Sequence, residues 1–291
     1  MADFEQHFIQ SADGLSLGYR VYAGDPAQMP LICLPGLTRN ARDFHQLATL
    51  LTAQIVVAPT IVSVDYRGRG TSDRAADPAT YNIGTECQDL LLLLDHLKID
   101  KACFIGTSRG GLILHILTSV APERIGCVIF NDVGPVLEIQ GLRDIQSYLT
   151  GAPALAGWPE AVRHLKSIHG QGFPALQEDD WQDLAQSIYV DRDDRITADC
   201  DPAIGRAFAT LPLEEPLPDL WAQFDQFADI PMMVVRGENS TLLSEATVGE
   251  MQARRPRLRA VVALGQGHAP LLHVEPLARD IISFLNSVTG D

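Results

Sequence analysis

Residues 104–111 have the sequence Phe-Ile-Gly-Thr-Ser-Arg-Gly-Gly, and they decide the fold of this chain. An apolar, strand-like run (102–105) precedes the motif, and a helix-like run (112–120) follows it. A G-x-S-x-G pattern between a strand and a helix predicts a sharp, strained turn whose glycines avoid clashes that a Cβ would make. Such a turn exposes the Ser108 hydroxyl beside the free N–H groups of a helix N-terminus. An ordinary glycine-rich turn with a surface serine is the alternative, but the flanking elements favour a nucleophile.

The size and charge of the chain limit its class. Its 291 residues are 46% hydrophobic, which suits one large α/β domain or a domain with an inserted lid. The net charge of -15 argues against nucleic acid and anionic membranes as partners. There is no basic segment followed by an apolar stretch at the N-terminus, and the apolar runs are too short to span a bilayer. We therefore expect a cytoplasmic protein without a membrane partner.

The cysteines carry no recognisable pattern. Five are scattered without paired spacing, and three of them lie in strand-like runs, where a thiol behaves as a small hydrophobic group. They are Cys33, Cys87, Cys103, Cys127 and Cys200. We expect neither a disulfide nor a metal cluster, in keeping with a reducing compartment.

Strand-like and helix-like segments alternate along much of the chain, which favours a mostly parallel sheet covered by helices. The expected strands are 4–10, 15–22, 31–34, 61–65, 102–105, 127–130, 232–235 and 260–264. The expected helices of this part are 41–51, 89–98 and 277–288. Asn40 is expected near the N-cap of the first helix. Thr85 and Gln88 have the spacing of a capping box, which would start the second helix one turn earlier.

The alternation stops between residues 133 and 220. This stretch has helical patches at 141–149, 160–168 and 181–188, and no convincing buried strand. Its aromatic residues argue against the alternative, a disordered linker. These aromatic residues, with one at the following boundary, are Trp158, Trp181, Tyr189, Phe208 and Trp221. We predict a helical cap domain at 133–220, inserted into a core domain formed by 1–132 and 221–291.

A serine nucleophile needs a general base, normally a histidine, and an acid that orients it. The best base is His268, because its glycine-rich loop follows the last expected strand at the same sheet edge as Ser108. His164 and His169 lie in the predicted cap and could touch a substrate, although a solvated helix face is the expected position for both.

The other histidines fit the role of base less well, since they precede the site, lie in helices or follow His268 closely: His7, His45, His96, His115 and His273. A metal site built from His268, His273 and Glu275 matches no familiar spacing, so we expect no metal.

At this point the chain resembles the α/β-hydrolase fold family, in the branch that carries a cap domain, over almost its whole length. Four motifs in order carry the resemblance: Leu34-Pro35-Gly36-Leu37, Asp65-Tyr66-Arg67-Gly68-Arg69-Gly70-Thr71-Ser72-Asp73, Gly106-Thr107-Ser108-Arg109-Gly110 and Gly267-His268. The resemblance implies an eight-stranded, mostly parallel sheet flanked by helices, a small-molecule acyl substrate and no cofactor. The arginines of the second motif are expected to brace the loops around the site.

The resemblance also implies an oxyanion hole. Its two donors would be the backbone N–H of Arg109, directly after the serine, and that of Leu37, in the loop after the third strand. Gly36 would let that loop come close to the substrate. Family members often have histidine before this glycine, whereas this chain has Pro35.

The acid departs from the family pattern. Members most often carry it shortly after the seventh strand, but no aspartate stands near Ser240 or Thr241. Asp132, directly after the sixth strand, is an alternative acid position used by some members, and Glu238 is a second candidate. We favour Asp132. The competing interpretation is that Asp132 only caps the first segment of the cap.

A serine nucleophile implies an acyl-enzyme formed from an ester, thioester, lactone or amide. The first hypothesis is therefore a hydrolase of small carboxylic esters. Alternatives are a hydrolase of carbon–carbon bonds in ring-fission products and a non-catalytic ligand-binding protein on the same scaffold. Arg39, Gly36 and Trp158 are candidate substrate-binding residues. The side chains of Arg39 or Arg109 could hold a substrate carboxylate, but arginines in such positions more often pair with protein acids, and we favour that pairing.

Overall fold

The computed structural model describes residues 3–149, 154–214, 217–227 and 229–289. Its large sheet contains eight strands: β1 (Phe4–Gln10), β2 (Ser16–Tyr22), β3 (Leu31–Leu34), β4 (Ile61–Val64), β5 (Ala102–Thr107), β6 (Ile125–Asn131), β9 (Met232–Gly237) and β10 (Arg259–Ala263). Their order is β1-β2-β4-β3-β5-β6-β9-β10. Only the β1–β2 and β2–β4 pairs are antiparallel, so the carboxyl ends of the other strands meet at one edge.

Helices cover both faces of this sheet. Outside the insert described below they are α1 (His45–Gln54), α2 (Ile83–His96), α3 (Arg109–Val120), α8 (Trp221–Phe224), α9 (Glu245–Arg254) and α10 (Leu277–Thr289). Short 3₁₀ turns occur at Ala41–Phe44, Pro78–Thr80, Pro122–Arg124 and Asp225–Phe227. Alternate strand residues supply two separate cores: one packs against α2 and α3, and the other packs against α1 and α10. Burial on both faces explains why the central strands are continuous apolar runs.

The insert is the chain between β6 and α8. It contains α4 (Ile139–Leu149), α5 (Trp158–His169) and α6 (Glu178–Ile188), which agree with the three predicted helical patches, and α7 (Pro202–Ala209), which no predicted patch covers. Most of its buried apolar residues form two small clusters of their own. The predicted cap limits, 133 and 220, stay a prediction, and residues 150–153 and 215–216 within them are outside the described part of the chain.

The insert also contains a hairpin that the sequence analysis missed. β7 (Tyr189–Arg192) pairs antiparallel with β8 (Arg195–Ala198), and Asp193 and Asp194 form its turn with φ of 52° and 59°. Only Tyr189 and Ile196 are buried in these two strands, so neither strand has the apolar run or the regular alternation that would indicate it in the sequence. A two-residue turn with positive φ fits a hairpin, and aspartate tolerates this conformation better than most residues.

Two other sequence expectations are wrong. The cap of α2 is Asn82, whose side chain accepts a hydrogen bond from the Thr85 N–H at 2.9 Å, rather than a box starting at Thr85. Cys103 and Cys127 form a disulfide between β5 and β6, although no disulfide was expected. These cysteines are 24 residues apart but are direct partners in the strand register, a relationship that linear spacing does not reveal. The disulfide also removes one argument for a reducing compartment.

None of the helices in the described residues is long and apolar enough to span a membrane.

Candidate active site

Ser108 lies at the turn between β5 and α3, with φ 50° and ψ -110°. Its N–H donates to the Asn131 carbonyl at 3.0 Å, which fixes the turn against the end of β6. The glycines beside it are sterically required. A Cβ on Gly106 would lie 2.6 Å from the Gly111 nitrogen, and one on Gly110 would lie 2.3 Å from the Leu34 carbonyl oxygen.

A chain of polar contacts runs from Ser108 into the protein. His268 Nε2 lies 2.9 Å from Ser108 Oγ, and His268 Nδ1 lies 2.8 Å from Asp132 Oδ2. His268 is reached through the loop after β10, as the sequence predicts, and its side chain is 13% exposed. Asp132 is completely buried. His268 thus contacts both of the other predicted catalytic residues, although Asp132 and Ser108 are 136 and 160 positions away from it along the chain.

The Asp132 carboxylate is held by donors other than His268. Oδ1 accepts from the Gly237 N–H at 2.8 Å, and Oδ2 accepts from the Ser240 hydroxyl at 2.6 Å. Asp132 has φ 54° and follows β6 directly. Its N–H donates to the Val235 carbonyl at 2.8 Å, so β9 fixes both its backbone and its side chain.

Glu238, the other acid candidate, does not contact His268. It is exposed, and its Oε2 accepts a hydrogen bond from the Gly265 N–H at 2.7 Å. Of the two candidates, only Asp132 meets the histidine.

The two predicted oxyanion residues lie on either side of the serine turn. Arg109 is the first residue of α3, where backbone N–H groups have no partner within the helix. Leu37 and Gly36 line the same cavity as Ser108. A Cβ on Gly36 would lie 3.4 Å from Arg39 Cγ and 4.0 Å from Ser108 Cβ, so any side chain there would fill space next to the serine.

A cavity of about 640 Å³ lies between the loops of the sheet edge and the insert, and Ser108 and His268 line it. The insert contributes a mostly apolar wall: Ile145, Tyr148, Leu149, Leu165, Ile168 and Phe173. Trp158 is not among the lining residues; it is 37% exposed at the start of α5. Trp158 therefore has no contact with the cavity that would support substrate binding.

The two arginines near the site are engaged with protein acids. Arg39 lines the cavity, but it pairs with Asp43 and donates to the Ser187 hydroxyl at 3.0 Å. The Arg109 side chain does not line the cavity, because its Nε donates to the buried Glu86 carboxylate at 2.6 Å. The Arg109 side chain is thus paired with a protein acid, which is the interpretation that the sequence favoured over binding of a substrate carboxylate.

Three further histidines line the cavity: His164, His169 and His273. The expected solvated position is wrong for His169, because its half-buried ring faces the cavity and lies 4.9 Å from the Tyr148 ring and 6.3 Å from the Phe173 ring. This burial lowers its pKa to about 4. Burial also lowers the pKa of His273. No local pattern separated these residues from ordinary helix and loop positions. Ser240 was missed as a partner of Asp132, although it stands where the family acid was expected.

The comparisons with known proteins agree with this architecture. A family model described as "alpha/beta hydrolase fold" matches residues 29–273. The chain belongs to the α/β-hydrolase fold family and is a hydrolase.

Individual relatives cover nearly the whole chain. A 3-hydroxybutyrate-oligomer hydrolase of Cupriavidus necator is 31% identical over 278 residues, which are 90% of this chain and 91% of that protein. Esterase YbfF of Escherichia coli is 28% identical and covers 82% of this chain and 85% of its own length. The crystal structure of an alpha/beta hydrolase from Novosphingobium aromaticivorans has 37% identity and a TM-score of 0.88, with 98% of this chain and 99% of that chain covered.

Proposed function

We propose that the protein is a serine hydrolase that cleaves small carboxylic esters through an acyl-enzyme on Ser108. The observation that carries this proposal is the continuous contact of Ser108 Oγ, His268 and Asp132, at 2.9 and 2.8 Å. These distances are within the range over which a hydroxyl, an imidazole and a carboxylate exchange or share protons.

In the first half-reaction, Ser108 Oγ attacks the ester carbonyl carbon while its proton moves to His268 Nε2. His268 can accept this proton only if its other nitrogen, Nδ1, carries a hydrogen. The Asp132 carboxylate favours that tautomer, since it can accept the Nδ1–H bond and stabilise the imidazolium that forms. When the tetrahedral intermediate collapses, His268 returns the proton to the departing alcohol.

The negative charge on the tetrahedral oxygen requires donors that are already in place. We assign this role to the backbone N–H groups of Leu37 and Arg109. In the second half-reaction water takes the place of the alcohol. His268 removes a proton from this water as its oxygen bonds to the acyl carbon. When the second tetrahedral intermediate collapses, the bond from the acyl carbon to Ser108 Oγ breaks and His268 returns the proton to Oγ. The carboxylic acid then leaves, so no cofactor is needed for the cycle.

We assign the predicted cap, residues 133–220, the role of a lid that shapes the substrate pocket. The cavity of about 640 Å³ has a size typical of small-molecule sites, and its apolar wall suits an acyl chain or an alkyl alcohol. Two relatives carry the names of ester-cleaving enzymes, one acting on oligomers of 3-hydroxybutyrate. Short esters, including dimers of a hydroxy acid, are therefore the first substrates to test.

The non-catalytic alternative has lost its main support. It depended on the missing acid after the seventh strand of the sheet, but Asp132 meets His268 from the sixth strand instead.

The test is turnover of p-nitrophenyl butyrate, and labelling by a fluorophosphonate, in S108A and in wild type. We expect S108A to lose both while retaining its circular dichroism spectrum and melting temperature. S119A is the matched control, because Ser119 is a serine of the same helix, α3, outside the cavity, and this variant should keep full activity. Unchanged hydrolysis by folded S108A would refute the proposal.

A further inference from the structure

Glu86 is a fully buried carboxylate in the first turn of α2 that bridges two arginines. Its Oε1 accepts from Arg69 Nη1 at 2.8 Å, and its Oε2 accepts from Arg109 Nε at 2.6 Å. Arg69 is itself completely buried, and the Arg109 side chain is 12% exposed. Because water does not screen such groups, their mutual contacts decide where the two guanidinium groups lie.

Each of the two arginines is tied to one side of the proposed oxyanion hole. Arg69 Nε donates to the Leu37 carbonyl at 2.9 Å, in the residue whose N–H is one proposed donor. Arg109 supplies the other donor from its own backbone, while its side chain reaches Glu86 and the Tyr81 carbonyl. The path from Leu37 to Arg109 therefore runs Leu37–Arg69–Glu86–Arg109, through polar contacts of 2.9, 2.8 and 2.6 Å.

We propose that Glu86 is a positioning residue that sets the separation of the two oxyanion donors, the N–H groups of Leu37 and Arg109. This inference rests on the proposed hydrolase function. Glu86 touches neither the substrate nor the reacting atoms, and it does not line the cavity that contains Ser108. It acts through the loop after β3 and the first residue of α3, which are joined to each other by this carboxylate.

The negative charge of Glu86 matters for this positioning as much as the length of its side chain. Without the carboxylate, the Arg69 and Arg109 guanidinium groups would remain buried with two positive charges and no bridging acceptor. Their repulsion would move Leu37, Arg109 or both, and oxyanion donors act only when they point at the oxygen within a few tenths of an ångström. Substrate binding in the cavity should change much less than the rate of the chemical step.

The decisive variant is E86Q, which keeps the shape of the side chain but removes the charge and turns a donor NH₂ toward one guanidinium group. We expect kcat for p-nitrophenyl butyrate to fall by about 10- to 100-fold, with KM within about threefold of wild type. A purely structural role would lower the melting temperature and the active fraction, but not kcat per titrated active site.

A second readout reports on the oxyanion donors directly. In a thionoester, sulfur replaces the carbonyl oxygen and gains less from hydrogen-bond donors. The ratio of kcat/KM for the ester to that for the matching thionoester should therefore fall in E86Q by about tenfold, because the donors that distinguish oxygen from sulfur are misplaced.

D89N is the matched control. Asp89 is a carboxylate of α2, the helix that also carries Glu86. It pairs at 2.8 Å with Arg67, which belongs to the same Asp65–Asp73 motif as Arg69. Within the described residues, Arg67 has no side-chain hydrogen bond to Leu37 or Arg109. D89N should therefore lower stability while leaving kcat and the ester-to-thionoester ratio at wild-type values.

R109M gives an independent route if E86Q does not fold. This variant keeps the backbone N–H of residue 109 and the Glu86–Arg69 ion pair. It removes the side-chain hydrogen bond that joins Glu86 to the first residue of α3. We expect the same loss of kcat and the same fall in the ratio. Folded variants with wild-type kcat and ratio would overturn the role of Glu86. Failure of wild type to turn over any ester, or to label at Ser108, would instead overturn the hydrolase proposal.

Discussion

The hydroxyl of Ser240 donates a hydrogen bond to Asp132 Oδ2 at 2.6 Å, and the same oxygen lies 2.8 Å from His268 Nδ1. Ser240 stands in the segment after β9, where the family resemblance placed the acid. The carboxylate that contacts His268 instead belongs to Asp132, directly after β6, and the segment after β9 supplies a hydroxyl donor to it. The proposed acid, Asp132, thus follows a different strand from the one that the family resemblance indicated, but it occupies the position beside His268.

Removal of the Ser240 hydroxyl should weaken catalysis without abolishing it. S240A takes one donor from a buried carboxylate that keeps the Gly237 N–H and His268 as partners. We expect kcat to fall about tenfold, which corresponds to about 1.4 kcal/mol, with an unchanged KM.

The neighbouring hydroxyl provides the control for this measurement. The exposed Thr241 donates from Oγ1 to the Asp144 carboxylate at 2.7 Å, away from Asp132, so T241A should keep wild-type kcat. Equal kcat values for S240A and T241A would contradict a supporting role of Ser240.

The choice between the two acid candidates can be tested by neutralising each. D132N should lower kcat by about 10⁴-fold, because the amide no longer favours the His268 tautomer that accepts the serine proton. E238Q alters an exposed residue that holds only a loop N–H, so its kcat should stay within about threefold of wild type. The reverse order of the two effects would make Glu238 the acid.

The fold and the serine turn were predictable because their signals are local. The G-x-S-x-G motif, its flanking strand and helix, and the buried strand runs each depend on residues within a few positions of one another. Asp132 was predictable only as a preference over Glu238, because pattern places both near the correct sheet edge but gives no side-chain direction.

Other features could not be predicted, because they depend on which distant segments meet. Glu86 follows the capping residue of α2 in sequence, and nothing in that helix indicates that its carboxylate meets Arg69 and Arg109. His169 is on an amphipathic helix whose inner face could be recognised, but the cavity beneath that face depends on how the insert packs. The Cys103–Cys127 disulfide forms because the two residues are partners in the β5–β6 register. The spacing of cysteines along the sequence does not reveal that register.

Because the serine turn is closely packed, one added methyl group there should strongly lower the free energy of unfolding. In G110A the new Cβ would lie 2.3 Å from the Leu34 carbonyl oxygen, which is backbone and cannot rotate away. We expect the free energy of unfolding to fall by about 2–3 kcal/mol, with a loss of ester hydrolysis as Ser108 shifts. Urea denaturation and kcat measurements check this expectation.

Gly249 is the matched control for that substitution. It is an exposed glycine within α9, and an added Cβ would meet nothing within 4 Å. Because alanine favours helix over glycine, G249A should raise stability by about 0.5–1 kcal/mol and leave activity unchanged. A similar loss of stability in G110A and G249A would show that contact with β3 is not the cause.

The buried His115 should cause part of the loss of folding stability at low pH. Burial in α3 lowers its pKa from 6.5 to about 4, against the opposite effect of its hydrogen bond to the Gly111 carbonyl. Between these values the unfolded chain binds a proton that the folded protein does not. Stability therefore falls as the pH falls through this window, and His115 should contribute about 2 kcal/mol of loss between pH 7.5 and pH 5.0.

H115F removes this titration and keeps an aromatic ring against Phe130, Phe224 and Phe227, whose centroids lie 5.0, 6.4 and 5.6 Å from the His115 ring. Urea denaturation at pH 7.5 and 5.0 should show a stability loss that is smaller in H115F than in wild type by about 2 kcal/mol.

Burial also lowers the pKa of His169, so H115F should retain some pH dependence. H96Q, which alters an exposed histidine at the end of α2, should keep the wild-type dependence. Identical losses in H115F and wild type would exclude His115 as a cause of acid sensitivity.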